Sequence, residues 1–156
     1  MNNMKKILTA ISLAFCVSFA GQVSLLAQKT GATESSLIDA VTLIDAGKFA
    51  EAVSILKPMA SAEPGNDAVF YYLGLASYAM RDAEEAVAYL QEASRLDTSN
   101  FWYKDRLARL YAATSQPELA IAIYEDLLET EPSNYEVYYN LVNLYAQQNK
   151  PDEMLR

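Results

Sequence analysis

From about residue 33 onward, apolar residues return every three or four places, in blocks of about 13 residues separated by short polar breaks, which is the spacing of helices with one buried face. In the first block Leu37, Val41 and Ile44 share a face, Thr33 to Ser36 form the entry, and Gly47 supplies a left-handed stop after about Ala46. The second block, Phe49 to about Ala62, places Ala52, Val53, Leu56 and Met59 together but carries Pro58 inside it. That proline is expected to kink or shorten the helix at a cost of about 3 kcal/mol. A third helix begins after Asn66 or Asp67 and runs to about Met80, and a fourth starts at Asp82, where Asp82 and Glu85 have capping-box spacing. Asn100 precedes a fifth helix reaching about Thr114. Ser115 and Glu118 form a second expected box with Pro117 in the first turn, and Ser133 with Glu136 a third. The pattern predicts an all-α chain of seven helices of about 13 residues, joined by turns of about two to four residues, plus a stub from Pro151.

The blocks repeat. Asp67 to Asn100 and Phe101 to Asn134 superimpose without a gap at 34 residues, aligning Leu73 with Leu107, Ala86 with Ala120, Leu90 with Tyr124, and Asp97-Thr98-Ser99-Asn100 with Glu131-Pro132-Ser133-Asn134. One period back, Ala52, Leu56 and Glu63-Pro64-Gly65-Asn66 fall in the same columns; one period forward, Leu141 and Tyr145 do. Ala86, Ala120, Gly74 and Ala108 are expected where the two helices of a unit cross, because only small side chains let backbones approach that closely. Leu73, Leu107, Leu141, Leu90, Tyr124, Tyr111 and Tyr145 fill the space around them, and Pro64 and Pro132 end the second helices.

This period and punctuation resemble the tetratricopeptide repeat. The resemblance covers Thr33 to Arg156 and implies a right-handed α-solenoid of about 3.5 helix-turn-helix repeats, with units at 33–66, 67–100, 101–134 and an incomplete 135–156. Asp39 in the column of Leu73, Ser77 in that of Tyr111 and Thr98 in place of the helix-ending proline depart from the pattern. Arg156 falls 22 residues into the fourth unit, so the chain is expected to be the N-terminal part of a longer protein.

The N-terminus is different. Lys5 and Lys6 precede an uncharged run from Ile7 to Gln28 that ends among small residues, the pattern of a signal peptide over residues 1–27, followed by a polar linker at 28–32. Cleavage after Ala27 is favoured, with Ala20 second; an uncleaved membrane anchor is the alternative. The single cysteine, Cys16, follows Phe15 rather than a small residue, which disfavours a lipid-modified N-terminus. Removing Lys5 and Lys6 takes the net charge from −8 to −10, which argues against nucleic acid and anionic lipid as partners. The expected site of action is the periplasm.

With no histidine, the chain lacks the means for Ser-His-Asp or Cys-His catalysis and for the usual zinc sets. Glu84-Glu85, Glu125-Asp126 and Asp152-Glu153 read as solvated surface, and no phosphate loop is present. No enzyme activity, cofactor or metal is expected. What remains is a surface. The resemblance implies a concave groove lined by first helices, here Tyr71, Tyr72, Leu75 and Tyr78, then Trp102, Asp105, Arg106 and Arg109, then Tyr139, Asn140 and Asn143. The two-lysine clamp for chaperone C-termini is absent, since Leu37, Val41, Tyr72 and Trp102 hold those places. Arg106 and Arg109 beside Trp102 are expected to concentrate positive potential for a peptide with carboxylates and an apolar anchor. The expected function is a protein- or peptide-binding scaffold or assembly factor of the bacterial envelope. Two alternatives are a recruiting module of an enzyme whose catalytic part lies beyond Arg156, and a protein that self-associates through its incomplete repeat.

Overall fold

Four turns at one register set the architecture. Gly47, Arg81, Ser115 and Asn149 stand 34 residues apart, and all four have positive φ, at 74°, 66°, 60° and 55°. At each, the next residue donates its N–H back across the helix end: Lys48 to the Leu43 carbonyl at 2.8 Å, Asp82 to Ser77 at 2.9 Å, Gln116 to Tyr111 at 2.9 Å and Lys150 to Tyr145 at 3.0 Å. A left-handed residue followed by this long return bond closes the helix and reverses the chain within three residues. In the first three turns the donor then serves as N-cap of the second helix.

The computed structural model describes residues 34–150, and the expected signal peptide, linker and C-terminal stub lie outside the described residues. Two units are distinguished, Met1–Asp39 and Ala40–Arg156. Of the first, residues 34–39 are described and are helical; the second opens with helix α1, residues 40–45. The second contains α2 (Phe49–Ala62), α3 (Asp67–Ala79), α4 (Ala83–Leu96), α5 (Phe101–Ala113), α6 (Pro117–Thr130) and α7 (Tyr135–Gln147). Among the described residues there is no strand. From α2 onward each helix packs on the next in the chain. This second unit is an all-α solenoid of helix-turn-helix repeats.

The first helices open on asparagines, also 34 residues apart. The side-chain oxygens of Asn66, Asn100 and Asn134 accept from the N–H groups of Val69 (3.4 Å), Trp102 (3.1 Å) and Val137 (3.3 Å). Ser133 therefore does not cap α7, as its spacing to Glu136 suggested; the asparagine one place later does, and Glu136 is left free to reach another helix. Ser115 does not cap α6 either, since it holds the left-handed turn position, and Gln116 precedes Pro117 with no side-chain cap bond. Only half of the expected box at Asp82 forms. Asp82 accepts from the Glu85 N–H at 3.1 Å, but the Glu85 carboxylate turns to Lys57 Nζ at 2.9 Å.

Pro58 was expected to kink or shorten its helix; it does not shorten it, since α2 runs 14 residues through it. Pro58 and Ser54, whose carbonyl loses a partner, are both exposed, so water can satisfy that oxygen while Ala52 and Leu56 stay buried on the opposite side. Likewise α4 stops without a proline. Asp97 takes the same extended conformation (φ −126°, ψ 92°) as Glu63 and Glu131, and it accepts from the Ser99 N–H and hydroxyl at 3.0 and 2.7 Å. The Ser99 hydroxyl holds the Asp97 carboxyl below its ordinary range.

The core runs through the crossings. Ala86, Ala108 and Ala120 are fully buried, as are Leu73 and Ala52. A Cβ placed on Gly74 would lie 2.6 Å from Leu90 Cγ and 3.3 Å from the Ala86 carbonyl oxygen. Successive units are also joined by polar pairs in one register. Gln91 on α4 donates to the Tyr111 hydroxyl on α5, and Tyr145 on α7 donates to Glu125 on α6. One unit earlier Ser77 is too short for this, and Glu85 bridges it (3.4 Å) to Lys57.

Gly74→Ala is expected to destabilise the protein by about 1–3 kcal/mol through overpacking, with Leu90→Ala recovering part of the loss in a double-mutant cycle followed by urea denaturation. In contrast, Ser115→Gly relieves a left-handed residue of its side-chain clash and should raise stability by about 0.5–1 kcal/mol. An unchanged or lowered denaturation midpoint for that variant would contradict the turn geometry.

Candidate peptide-binding surface

The side chains singled out in the sequence all lie on the first helices α3, α5 and α7, but the structure divides them into three groups. Tyr71 and Tyr72 belong to an aromatic cluster. Tyr71 lies 4.9 Å from the Tyr103 ring and 5.3 Å, edge-on, from Tyr72, and the Tyr103 hydroxyl donates to Asp67 at 2.8 Å. Burial and the Asp67 carboxylate together raise the Tyr103 phenol above its usual range. The cluster ties α3 to α5.

A second group lines pockets. Leu75, Tyr78, Arg106 and Arg109, with Gly74, Leu90 and Leu110, enclose a mainly apolar pocket of about 200 Å³ between α3 and α5. Arg109, Asn140 and Asn143, with Ala112, Tyr124, Leu144 and Gln147, line a more polar one of about 240 Å³ between α5 and α7. Arg109 belongs to both. The lining residues Leu110, Ala112 and Leu144 were not singled out; their apolar side chains carry no signal until neighbouring units stack.

The third group lines neither pocket. Trp102 is 66% exposed and touches Phe101 edge-on, with ring centroids 5.3 Å apart; Tyr139 is 68% exposed. Trp102 occupies, one period earlier, the place of Glu136. Asp105 is 6% exposed and lies beneath Arg109 rather than on the surface.

The expected concentration of positive charge is therefore corrected. Arg109 Nε donates to Asp105 at 2.8 Å and its Nη2 to Glu136 at 2.5 Å. The Asp105 carboxylate is the main reason that the guanidinium sits above its ordinary range. The two carboxylates on Arg109 thus offset the summed charge of the two arginines, although Arg106 itself makes no ion pair among the described residues. Next to them, burial and the negative Asp105 push the Tyr124 phenol up to about 12. Among the described residues no cluster suited to a metal ion occurs, and no helix is long and apolar enough to cross a membrane.

Repeated helical pairs presenting pockets between their first helices define a helical-repeat interaction surface. A family model described as tetratricopeptide repeat matches residues 43–113 and again 111–153, and the chain belongs to that family. It is a protein-interaction module. Among solved structures it is similar to a crystal structure of MamA, at a TM-score of 0.73 and 24% identity over 79% of this chain and 72% of that one. Another crystal structure of MamA protein aligns at a TM-score of 0.72 with 24% identity, over 79% and 67% of the two chains. A tetratricopeptide repeat protein from Parabacteroides merdae aligns at a TM-score of 0.71 with 26% identity over 76% of this chain, but the match spans 47% of that longer protein. No curated protein matches the sequence significantly.

Because Asp105 is buried under Arg109, Arg109→Ala should destabilise the fold by about 1–3 kcal/mol by stranding a carboxylate. Arg106→Ala should leave the thermal midpoint within error. Equal effects of the two substitutions would mean that Asp105 finds another partner.

Proposed function

We propose that this protein binds a peptide segment of another protein along the face formed by α3, α5 and α7, as a scaffold or assembly factor in a bacterial envelope compartment. The observation that carries this reading is the pair of adjoining pockets that share Arg109. A mainly apolar pocket beside a polar one, with a cation between them, suits successive side chains of a bound chain. The exposed Trp102 and Tyr78 on the same helices add aromatic contact area. Catalysis is not part of this proposal, since the sequence has no histidine and the carboxylates near the pockets are held by Arg109. Delivery to the periplasm is proposed from the sequence of residues 1–27 and is tested by mass spectrometry of the periplasmic fraction, where the mature N-terminus should be Gln28.

Phage-displayed peptides selected on the wild type test the surface. Those peptides should lose about 1–3 kcal/mol of affinity on Tyr78→Ala and Arg106→Ala variants, and binding should alter the fluorescence of Trp102, the only tryptophan. Peptides that ignore these substitutions but are lost on Tyr89→Ala, on the second helix α4, would move the working surface to the opposite side.

A further inference from the structure

Arg109 is held by two carboxylates of unlike character. Asp105, with a side chain 8% exposed, takes Nε from below at 2.8 Å. Glu136, whose side chain is 68% exposed, takes Nη2 from the first turn of α7. We propose that Glu136 is a stand-in for the ligand: the groove selects a peptide with an apolar side chain and, close to it in sequence, an internal acidic side chain, which displaces Glu136 from Arg109. This rests on the reading of the α3–α5–α7 face as peptide-binding.

The exchange is favourable for stated reasons. One carboxylate replaces another on the same guanidinium, so the charge-assisted bond is conserved, while Glu136 returns to water from an exposed pair that contributes little. Asp105 stays in place and keeps the guanidinium oriented, so the cation is presented without having to be ordered by the ligand. The incoming acid also gains what Glu136 lacks, the charge of Arg106, which shares the first pocket with Arg109 and has no ion pair among the described residues. Leu75, Leu90 and Leu110 line that pocket and receive the apolar side chain. Since Arg109 lines a pocket on either side of it, a chain lying over it continues past in both directions. That geometry suits an acidic side chain within a segment, not a terminal carboxylate.

The test uses fluorescein-labelled, N-acetylated, C-amidated heptapeptides with a central leucine or phenylalanine and, one to three places before or after it, either glutamate or glutamine. Fluorescence anisotropy should show the glutamate members binding about tenfold more tightly than their glutamine partners. Glu136→Gln, checked for folding by circular dichroism, should strengthen the glutamate members about threefold and leave the glutamine members unchanged. Glutamate and glutamine members bound alike, yet lost on Tyr78→Ala, would overturn the exchange and keep the groove. A Glu136→Gln variant that binds glutamate members more weakly overturns it as well, since Glu136 would then be a contact. So does a preference for free over amidated C-termini, which would mean that a chain end is read. If no member binds below about 1 mM, the acidic-peptide proposal is overturned, while the phage selection still judges the groove.

Discussion

Everything in the stack depends on how closely the two helices of a unit can approach. At Gly74 there is no room for a methyl group, because Leu90 Cγ would stand 2.6 Å away and the Ala86 carbonyl oxygen 3.3 Å away. At the corresponding place in the next unit Ala108 is fully buried against a helix that carries Ala120 and Tyr124. With the crossing so tight, Leu90 and Tyr124 are covered completely enough to act as the pivot between units. The same closeness pulls the helix ends together, so the reversal must be made in very few residues. That is why Arg81 and Ser115 accept a backbone conformation that their side chains disfavour.

Much of this was legible because it is local and periodic. The 34-residue register, the asparagine starts and the stop at Gly47 each follow from one residue's own hydrogen-bonding or conformational freedom. What misled were spacings that two mechanisms can satisfy. Ser133 and Glu136 have capping-box separation, but Asn134 competes for the same N–H groups, and its side chain accepts from Val137 through the oxygen while its amide donates to Glu131 at 3.0 Å. Pro58 does not shorten α2, and a sequence does not reveal that its face of the helix is wet.

The candidate surface was half legible for a related reason. The resemblance to the tetratricopeptide repeat implied which positions of the first helices face the groove, and of these Leu75, Tyr78, Arg106, Arg109, Asn140 and Asn143 line the two pockets. Their partners could not. The pairing of Arg109 with Glu136 joins residues 27 apart and arises only when α7 is stacked on α5, and the burial of Asp105 likewise depends on what lies above it. The charge of Arg106 and Arg109 taken alone therefore overstated the field at the surface, since Asp105 from the same helix and Glu136 from α7 both bind Arg109 and offset it.

The polar pairs between units have a consequence for assembly order. The position occupied by Lys57, Gln91 and Glu125 in successive units meets the position occupied by Ser77, Tyr111 and Tyr145. What differs from seam to seam is reach and charge: Ser77 needs Glu85 to connect it to Lys57, the Tyr111 phenol accepts directly from the Gln91 amide, and the Tyr145 phenol donates to the Glu125 carboxylate. A serine set opposite Glu125 would stand too far from it to replace the longer phenol, and the charge-assisted bond would be lost. Units that look alike in their apolar columns thus differ in the polar contacts at their seams. In a chain of near-identical parts, where stacking on the wrong sibling is the characteristic folding error, such differences weigh against exchanging one neighbour for another.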